Sequence, residues 1–204
     1  TDSIHWTGSG REIAKAILLC EQKIVQRLPF QSKEVEEEFY LQLNLLGKSK
    51  VYAKAMRNIK KVARNNSPVF VRGESGTGKE LVARAIHYIS DRRGQPCVPI
   101  NCGAFTDELI LSELFGHQRG AFTGASTDRV GLLETANGGT LFLDEVDALS
   151  PKAQVSLLRY LQEGEIRPIG SNKVKNVEVR VISATNKDTK ELVEKDLLRP
   201  VSYT

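Results

Sequence analysis

An α/β domain, with a mostly parallel sheet covered by helices on both faces, is the fold class this sequence predicts. Three observations carry that expectation. From about residue 46 onward, short apolar, β-rich runs alternate with helical patterns, the order of a parallel sheet with crossover helices. Each apolar run ends in polar residues, and open α/β sheets gather their ligands beyond the carboxyl ends of the strands. The first run is followed by a glycine-rich turn and then a helix, the arrangement that holds phosphate groups.

In chain order, "REIAKAILLCEQKIVQRL" places Ile13, Ile17, Cys20, Ile24 and Leu28 at steps of three and four residues, which makes one apolar stripe on an amphipathic helix. That stripe either docks on the chain's own core or pairs with another chain as a short coiled coil. "LPFQSKEVEEEF" breaks the pattern with Pro29 and a run of acids, as a connector does. Residues 1–45 are therefore read as a helical extension or linker, and 46–204 as the α/β domain. Within the domain "SPVFVRG" is the first strand and "KELVARAIHYIS" its helix. "PCVPINC" is a second strand, "DELILSELFG" a short helix and "GTLFLDEV" a third strand. "SPKAQVSLLRYLQEG" is a helix with Ser150 as N-cap and Pro151 in its first turn, and "VEVRVISATN" is a fourth strand.

Composition sets limits without choosing a function. With 204 residues and 40% hydrophobic content the chain can bury a sizeable core. A formal charge of +4, from 29 basic and 25 acidic residues, is too small an excess to specify nucleic acid. Cys20, Cys97 and Cys102 form neither an even framework nor a repeated metal-ligand spacing, which points to reduced thiols and a cytoplasmic protein. No apolar run approaches the roughly 20 residues of a membrane helix.

After the first strand, "GESGTGKE" supplies Gly73, Gly78 and Lys79 in the order of a phosphate-binding loop. Its glycines let backbone N–H groups converge on phosphate oxygens, Lys79 reaches the terminal phosphates, and the next helix presents its positive end. The usual Ser or Thr after the lysine is Glu80 here, so the hydroxyl ligand to Mg²⁺ is missing from its ordinary place. At the end of the third strand stand Asp144 and Glu145. Asp144 can hold Mg²⁺ through water while Glu145 orients and deprotonates an attacking water, so loop and acid pair together read as an ATP site.

"GESGTGKELVARAIH", "INCGAF", "SELFGHQRGAFTGA", "GGTLFLDEVDAL" and "VRVISATN" follow one another in a way that resembles the central AAA+ domain of bacterial enhancer-binding proteins, the activators of sigma-54 RNA polymerase. The resemblance spans about residues 45 to 199 and implies an AAA+ P-loop NTPase core. In that family the residue at Glu80 is ordinarily glutamate. The resemblance implies that Gly73, Glu74, Ser75, Gly76, Thr77, Gly78, Lys79 and Glu80 surround the triphosphate of ATP, that Asp144 serves Mg²⁺ and that Glu145 prepares the water. It makes Asn101 the switch asparagine that holds the catalytic glutamate, where the plainer reading is a cap on the segment after its strand. Asn186 becomes the sensor of the γ-phosphate, against a plain polar strand end, and Leu46 and Gly47 fall where the adenine pocket begins. His117, on the approach to the loop, reads as an ordinary solvated histidine.

"GAFTGA", residues Gly120, Ala121, Phe122, Thr123, Gly124 and Ala125, is by the same resemblance the loop that engages the sigma-54 RNA polymerase holoenzyme. A tight turn with Phe122 tucked into the core is the other reading. The tail departs from the family pattern: Arg199 sits at the first of two arginines that reach into a neighbouring subunit, but Pro200 and Val201 replace the acidic surroundings and a second arginine would fall past Thr204. The final strand, the helical lid subdomain and the helix-turn-helix domain that binds enhancer DNA have no counterpart in these residues, and no sensory domain is recognisable before residue 45. The sequence thus reads as a fragment or a truncated protein. Two functions follow from it: an ATP-hydrolysing remodeller that works as a ring, or a nucleotide-binding or ring-interaction fragment with little turnover of its own.

Overall fold

Strands that are apolar on both sides demand cover on both faces, and the computed structural model, which describes residues 4–6, 47 and 49–188, supplies it. The chain runs through β1 (Ile4–Trp6), α1 (Lys50–Ala63), β2 (Val69–Gly73), α2 (Lys79–Ile89), β3 (Cys97–Asn101), α3 (Asp107–Phe115), β4 (Gly116–His117), β5 (Arg129–Val130), α4 (Leu132–Thr135), β6 (Thr140–Asp144), α5 (Pro151–Glu163), β7 (Glu165–Ile166), β8 (Lys175–Asn176) and β9 (Arg180–Thr185). Short 3₁₀ turns, Cys102–Ala104 and Val146–Ala148, follow β3 and β6. The main sheet has the order β1-β2-β9-β6-β3 with every pair parallel.

Successive side chains on a strand point to opposite faces, and the two cores divide accordingly. Leu141 and Leu143 of β6 and Val181 of β9 pack with Leu114, Leu133 and Leu157 on the face that α3, α4 and α5 cover. Phe142, Ile182 and Ala184 pack with Met56, Ile59, Val82 and Ile86 on the face that α1 and α2 cover. β2, β9, β6 and β3 all end at one edge of the sheet, and their last residues, Gly73, Thr185, Asp144 and Asn101, define where a ligand can sit.

Several sequence expectations are met closely. Ser150 accepts from the Ala153 N–H at 3.3 Å, Pro151 opens α5, and left-handed Gly164 closes it. β9 starts later than "VEVRVISATN" suggests. Val177 donates to the Gly164 carbonyl, Glu178 to the Asn137 side chain, and Val179 exchanges hydrogen bonds with the Tyr160 hydroxyl, so these residues are bonded away from the ladder. Several elements were not anticipated: the short pairs β4–β5 and β7–β8, α4, α1 and β1. α1, capped by Ser49, lies between the expected linker and the first strand. Ile4–Trp6 pairs in parallel with Val71–Gly73 at the sheet edge, which attaches part of the first 45 residues to the sheet. The stripe at 11–28 and the connector at 28–39 lie outside the described residues. Among the described residues no helix is long and apolar enough to cross a membrane.

Candidate functional site

The phosphate loop begins where β2 ends. Gly76 (φ 75) and Gly78 (φ 84) adopt left-handed backbone that only glycine takes without strain. Gly78 is also the N-cap of α2 and offers no side-chain acceptor, so the first N–H groups of the helix stay available for an anion. Thr77 closes the turn by donating its hydroxyl to the Glu74 carbonyl at 2.7 Å. Lys79, only 8% exposed, donates to the carbonyls of Gly73 and Glu74, both at 3.1 Å. An ammonium so enclosed, met by neutral carbonyls, is a strong attractor for negative charge. Glu80 points elsewhere and pairs with Arg84 at 3.0 Å, one turn along α2. Glu74, Ser75 and Gly76 are exposed, open to a ligand.

β9 lies between β2 and β6, so the acid pair stands about 10 Å across the sheet from the phosphate loop. Burial pushes the Asp144 carboxyl up, an effect that the Glu145 N–H and the Lys79 ammonium oppose. Glu145 is the sole non-glycine with positive φ among the described residues (φ 51), so the strand stops at Asp144 and turns sharply. Strain at a single left-handed position persists where surroundings enforce it, and such positions cluster at functional sites. The Glu145 carboxylate stands over Gly103: a Cβ there would meet Glu145 Oε2 at 2.3 Å and Asn101 Oδ1 at 3.3 Å. Asn101, in register with Asp144, thus converges on the same point as Glu145. Its side-chain oxygen accepts from the Gly103 N–H at 2.8 Å, which is the capping geometry.

Asn186 follows β9 and is exposed. Sequence reasoning overlooked its surroundings: the Thr185 hydroxyl donates to Asp147 Oδ1, and Lys187 Nζ lies 2.9 Å from Asp147 Oδ2. Burial pushes the Asp147 carboxyl up, but the hydrogen bonds from Lys187 and Thr185 and the lysine charge outweigh it and hold the carboxyl below its ordinary value. The third acid of "DEVD" was the available signal. Gly47 is exposed and lies against Tyr52, whose ring would be 2.6 Å from an added Cβ. Leu46 and Arg199 lie outside the described residues.

The stretch 120–125 closes on itself, with Gly120 N–H donating to the Ala125 carbonyl at 2.8 Å and Ala125 N–H to the Phe122 carbonyl at 3.0 Å. Gly120 (φ 79) and Gly124 (φ 100) are needed for backbone angle, since nothing lies within 4 Å of an added Cβ at either. Thr123 is exposed and Ala125 buried. Phe122 is half-buried and packs edge-to-face on His117, ring centres 5.0 Å apart. It is neither a core residue nor a bare tip. His117 corrects the expectation of a solvated side chain: it is half-buried between Phe122 and Ser112, whose hydroxyl is 2.7 Å from Nδ1. The segment also leans on 169–170, through Gln118 N–H to the Ile169 carbonyl and Ile169 N–H to the Gly116 carbonyl, each 2.9 Å.

Two features lie away from this edge. A cleft of about 290 Å³ between α3, α5 and the β7–β8 hairpin is lined by Leu111, Phe115, Ile166 and Val174 under Lys152, Arg159 and Arg167, and none of its residues belongs to the phosphate loop. At the opposite end of the strands, His87, Thr140 and Arg180 are buried together. Arg180 donates to the last carbonyls of α1, Val62 at 2.6 Å and Ala63 at 3.3 Å. Burial pushes the thiols of Cys97 and Cys102 up, to about 11 and about 12, and both are free.

With this geometry in place, the comparisons agree with one another. The sequence profile of the sigma-54 interaction domain matches residues 45–203. Over 161 residues the chain is 49% identical to a Nif-specific regulatory protein of Azorhizobium caulinodans, an alignment that covers 79% of this chain and 26% of that protein. Over 126 residues it is 61% identical to the hydrogenase transcriptional regulatory protein HoxA of Cupriavidus necator, covering 62% of this chain and 26% of HoxA. Among solved structures, NtrX from Brucella abortus in complex with ATP superposes with a TM-score of 0.72 at 36% identity, covering 83% of this chain and 36% of that one. The P-loop NTPase domain of a sigma-54 transport activator from E. coli (TM-score 0.53, 18% identity, 78% of this chain and 90% of that one) shares the fold. The chain spans only about a quarter to a third of the curated relatives it matches.

Proposed function

The chain belongs to the sigma-54 interaction domain family, with an AAA+ P-loop NTPase fold, and from that premise we propose that it binds ATP with Mg²⁺, hydrolyses it, and passes the change to a sigma-54 RNA polymerase through residues 120–125. The observation that carries the reading is Lys79: a buried ammonium at the mouth of a helix N-terminus, held by two carbonyls that a phosphate would replace.

The residues fit both groups. Gly73 to Glu80 would wrap the phosphates with backbone N–H groups, and Lys79 would exchange its carbonyl partners for phosphate oxygens. Among the described residues no three acids, histidines or cysteines gather into a metal cage. Mg²⁺ asks for none, because one or two carboxylates plus phosphate oxygens and water complete its shell. Asp144, with its carboxyl pushed up by burial, would gain by facing a cation. When bound, Mg²⁺ neutralises charge that develops on the terminal phosphate. Glu145 would take the proton from an attacking water, Asn101 beside it would orient that carboxylate, and Asn186, just past β9, would contact the γ-phosphate. Movement of these strand ends relative to one another would reach the 116–131 segment through α3, which starts after Asn101 and ends at Phe115, next to Gly116.

Titration calorimetry with Mg·ATP tests the site. The wild-type chain should bind, Lys79→Ala should lose at least tenfold in affinity, about 1.4 kcal/mol, and Glu145→Ala should stay within about threefold because water activation and ligand capture use different residues. Equal affinity of the wild type and Lys79→Ala refutes the site.

A further inference from the structure

Asp147 makes no contact with the phosphate loop, yet its carboxylate is the most heavily committed acid on this edge. Its side chain is 5% exposed. Oδ1 accepts from the Thr185 hydroxyl and Oδ2 pairs with Lys187 Nζ at 2.9 Å. The Thr185 oxygen in turn accepts from the Lys187 backbone N–H at 3.1 Å. Both sequence neighbours of Asn186 are therefore gripped by one carboxylate while Asn186 itself remains exposed. Asp147 sits on the 3₁₀ turn directly after Glu145, and that turn is closed by the Ala148 N–H on the Glu145 carbonyl at 2.9 Å. The left-handed backbone of Glu145 (φ 51) needs something to enforce it, and the grip on β9 anchors the far side of the turn.

We propose that Asp147 is a positioning residue that clasps Thr185 and Lys187 and so fixes the distance between Asn186 and Glu145, making the γ-phosphate contact and the water-activating acid a single rigid unit. The inference rests on the ATP-site reading given above. Neither Asp147 nor its partners touch the nucleotide in this scheme. The clasp acts on what distinguishes ATP from ADP, and general affinity for the diphosphate is left to the loop of Gly73–Lys79.

Three variants of the chain test it: Asp147→Ala, which removes both contacts; Asp147→Asn, which keeps an acceptor for Thr185 and gives up the charge; and Lys187→Met, which removes the lysine partner alone. Amide hydrogen exchange without nucleotide reads the clasp directly. Asp147→Ala should speed exchange in 185–187 at least tenfold, with Asp147→Asn and Lys187→Met between it and the wild type. Calorimetry with Mg·ADP and with the non-hydrolysable β,γ-imido analogue of ATP reads the consequence. ADP affinity should stay within about threefold in every variant, while the preference for the triphosphate analogue falls about tenfold in Asp147→Ala and is largely restored in Asp147→Asn. Unchanged exchange overturns the clasp. Equal loss of both nucleotides shows a general structural role and overturns the positioning role. If the wild type binds neither nucleotide, the ATP-site reading and the positioning role fail together, and the exchange measurement still decides whether the clasp exists.

Discussion

His87 shows what a single residue can hide. It lies in the middle of "ARAIHYIS", with nothing in its spacing to mark it, yet it is fully buried (0% exposed), with Nδ1 2.9 Å from the Thr140 hydroxyl and Nε2 without a partner. Burial, and then the positive charges of Arg180 and Arg92, push the imidazole down to about 4 from its ordinary 6.5. The folded protein therefore holds His87 neutral, and between about pH 6.5 and 4 the unfolded chain binds the extra proton. Stability from this group is complete above pH 6.5 and is lost as pH falls toward 4, by about 3 kcal/mol over the whole window. Denaturant unfolding at pH 7.5 and 5 should show about 2 kcal/mol less of this pH-dependent loss in His87→Gln than in the wild type. Parallel pH profiles for the two proteins would show that His87 does not titrate on unfolding. Lys79 was legible because the chemistry of a phosphate loop fixes its place after the glycines, and Asp144 and Glu145 because they end an apolar strand. His87, Arg180 and Asp147 were not, because their burial and partners come from residues tens of positions away, such as Thr140 for His87 and Thr185 for Asp147.

Elements were legible where local chemistry decides them. Ser150, Pro151 and Gly164 bound α5 as sequence alone suggests, whereas the start of β9 depends on the Tyr160 hydroxyl and the Asn137 side chain reaching in from elsewhere. α1 escaped notice because part of its buried stripe is Ala55 and Ala63, weak signals beside the leucine-rich elements. The segment 116–131 divides in the same way. Its glycines are visible in the sequence, but their reasons differ. At the base, a Cβ on Gly131 would meet backbone atoms of Phe115, Gly116 and Leu114 at 2.4, 2.5 and 2.6 Å, so β4 and β5 can close only without a side chain there. At the tip, Phe122 has the edge-to-face contact with His117. Gly131→Ala should therefore destabilise the domain by about 1–3 kcal/mol through overpacking against backbone. Phe122→Ala should cost only about 1 kcal/mol, from an aromatic pair at partial exposure. Thermal unfolding of both variants checks the order. A Phe122→Ala loss as large as that of Gly131→Ala would make Phe122 a core residue and remove it as a contact for a partner.

At the scale of the molecule, the sheet brings the glycine-rich loop, an acid pair and two asparagines to one edge, but in the proposed ATPase the charge on a departing γ-phosphate would need more positive charge than Lys79 supplies. The arginines flanking the phosphate loop are engaged elsewhere, Arg72 with Asp188 at 2.5 Å and Arg84 with Glu80 at 3.0 Å. Arg199, for which the family resemblance implies a role across a subunit boundary, lies outside the described residues. An arginine delivered at the transition state is worth roughly 10³ to 10⁵ in rate, so a site without one should turn over very slowly, and a site completed by a second copy should work only when copies meet. ATP hydrolysis per molecule should therefore rise with protein concentration, faster than linearly in total activity, and level off once assembly is complete. Arg199→Ala should abolish that rise while leaving ADP affinity within about threefold, if the arginine is offered to a neighbour's nucleotide and not to its own. Hydrolysis that is fast and strictly proportional to concentration, unchanged in Arg199→Ala, would mean that one copy carries a complete site. In that case the arginine would have to be sought on the chain's own edge, with Arg72 released from Asp188 as the first candidate.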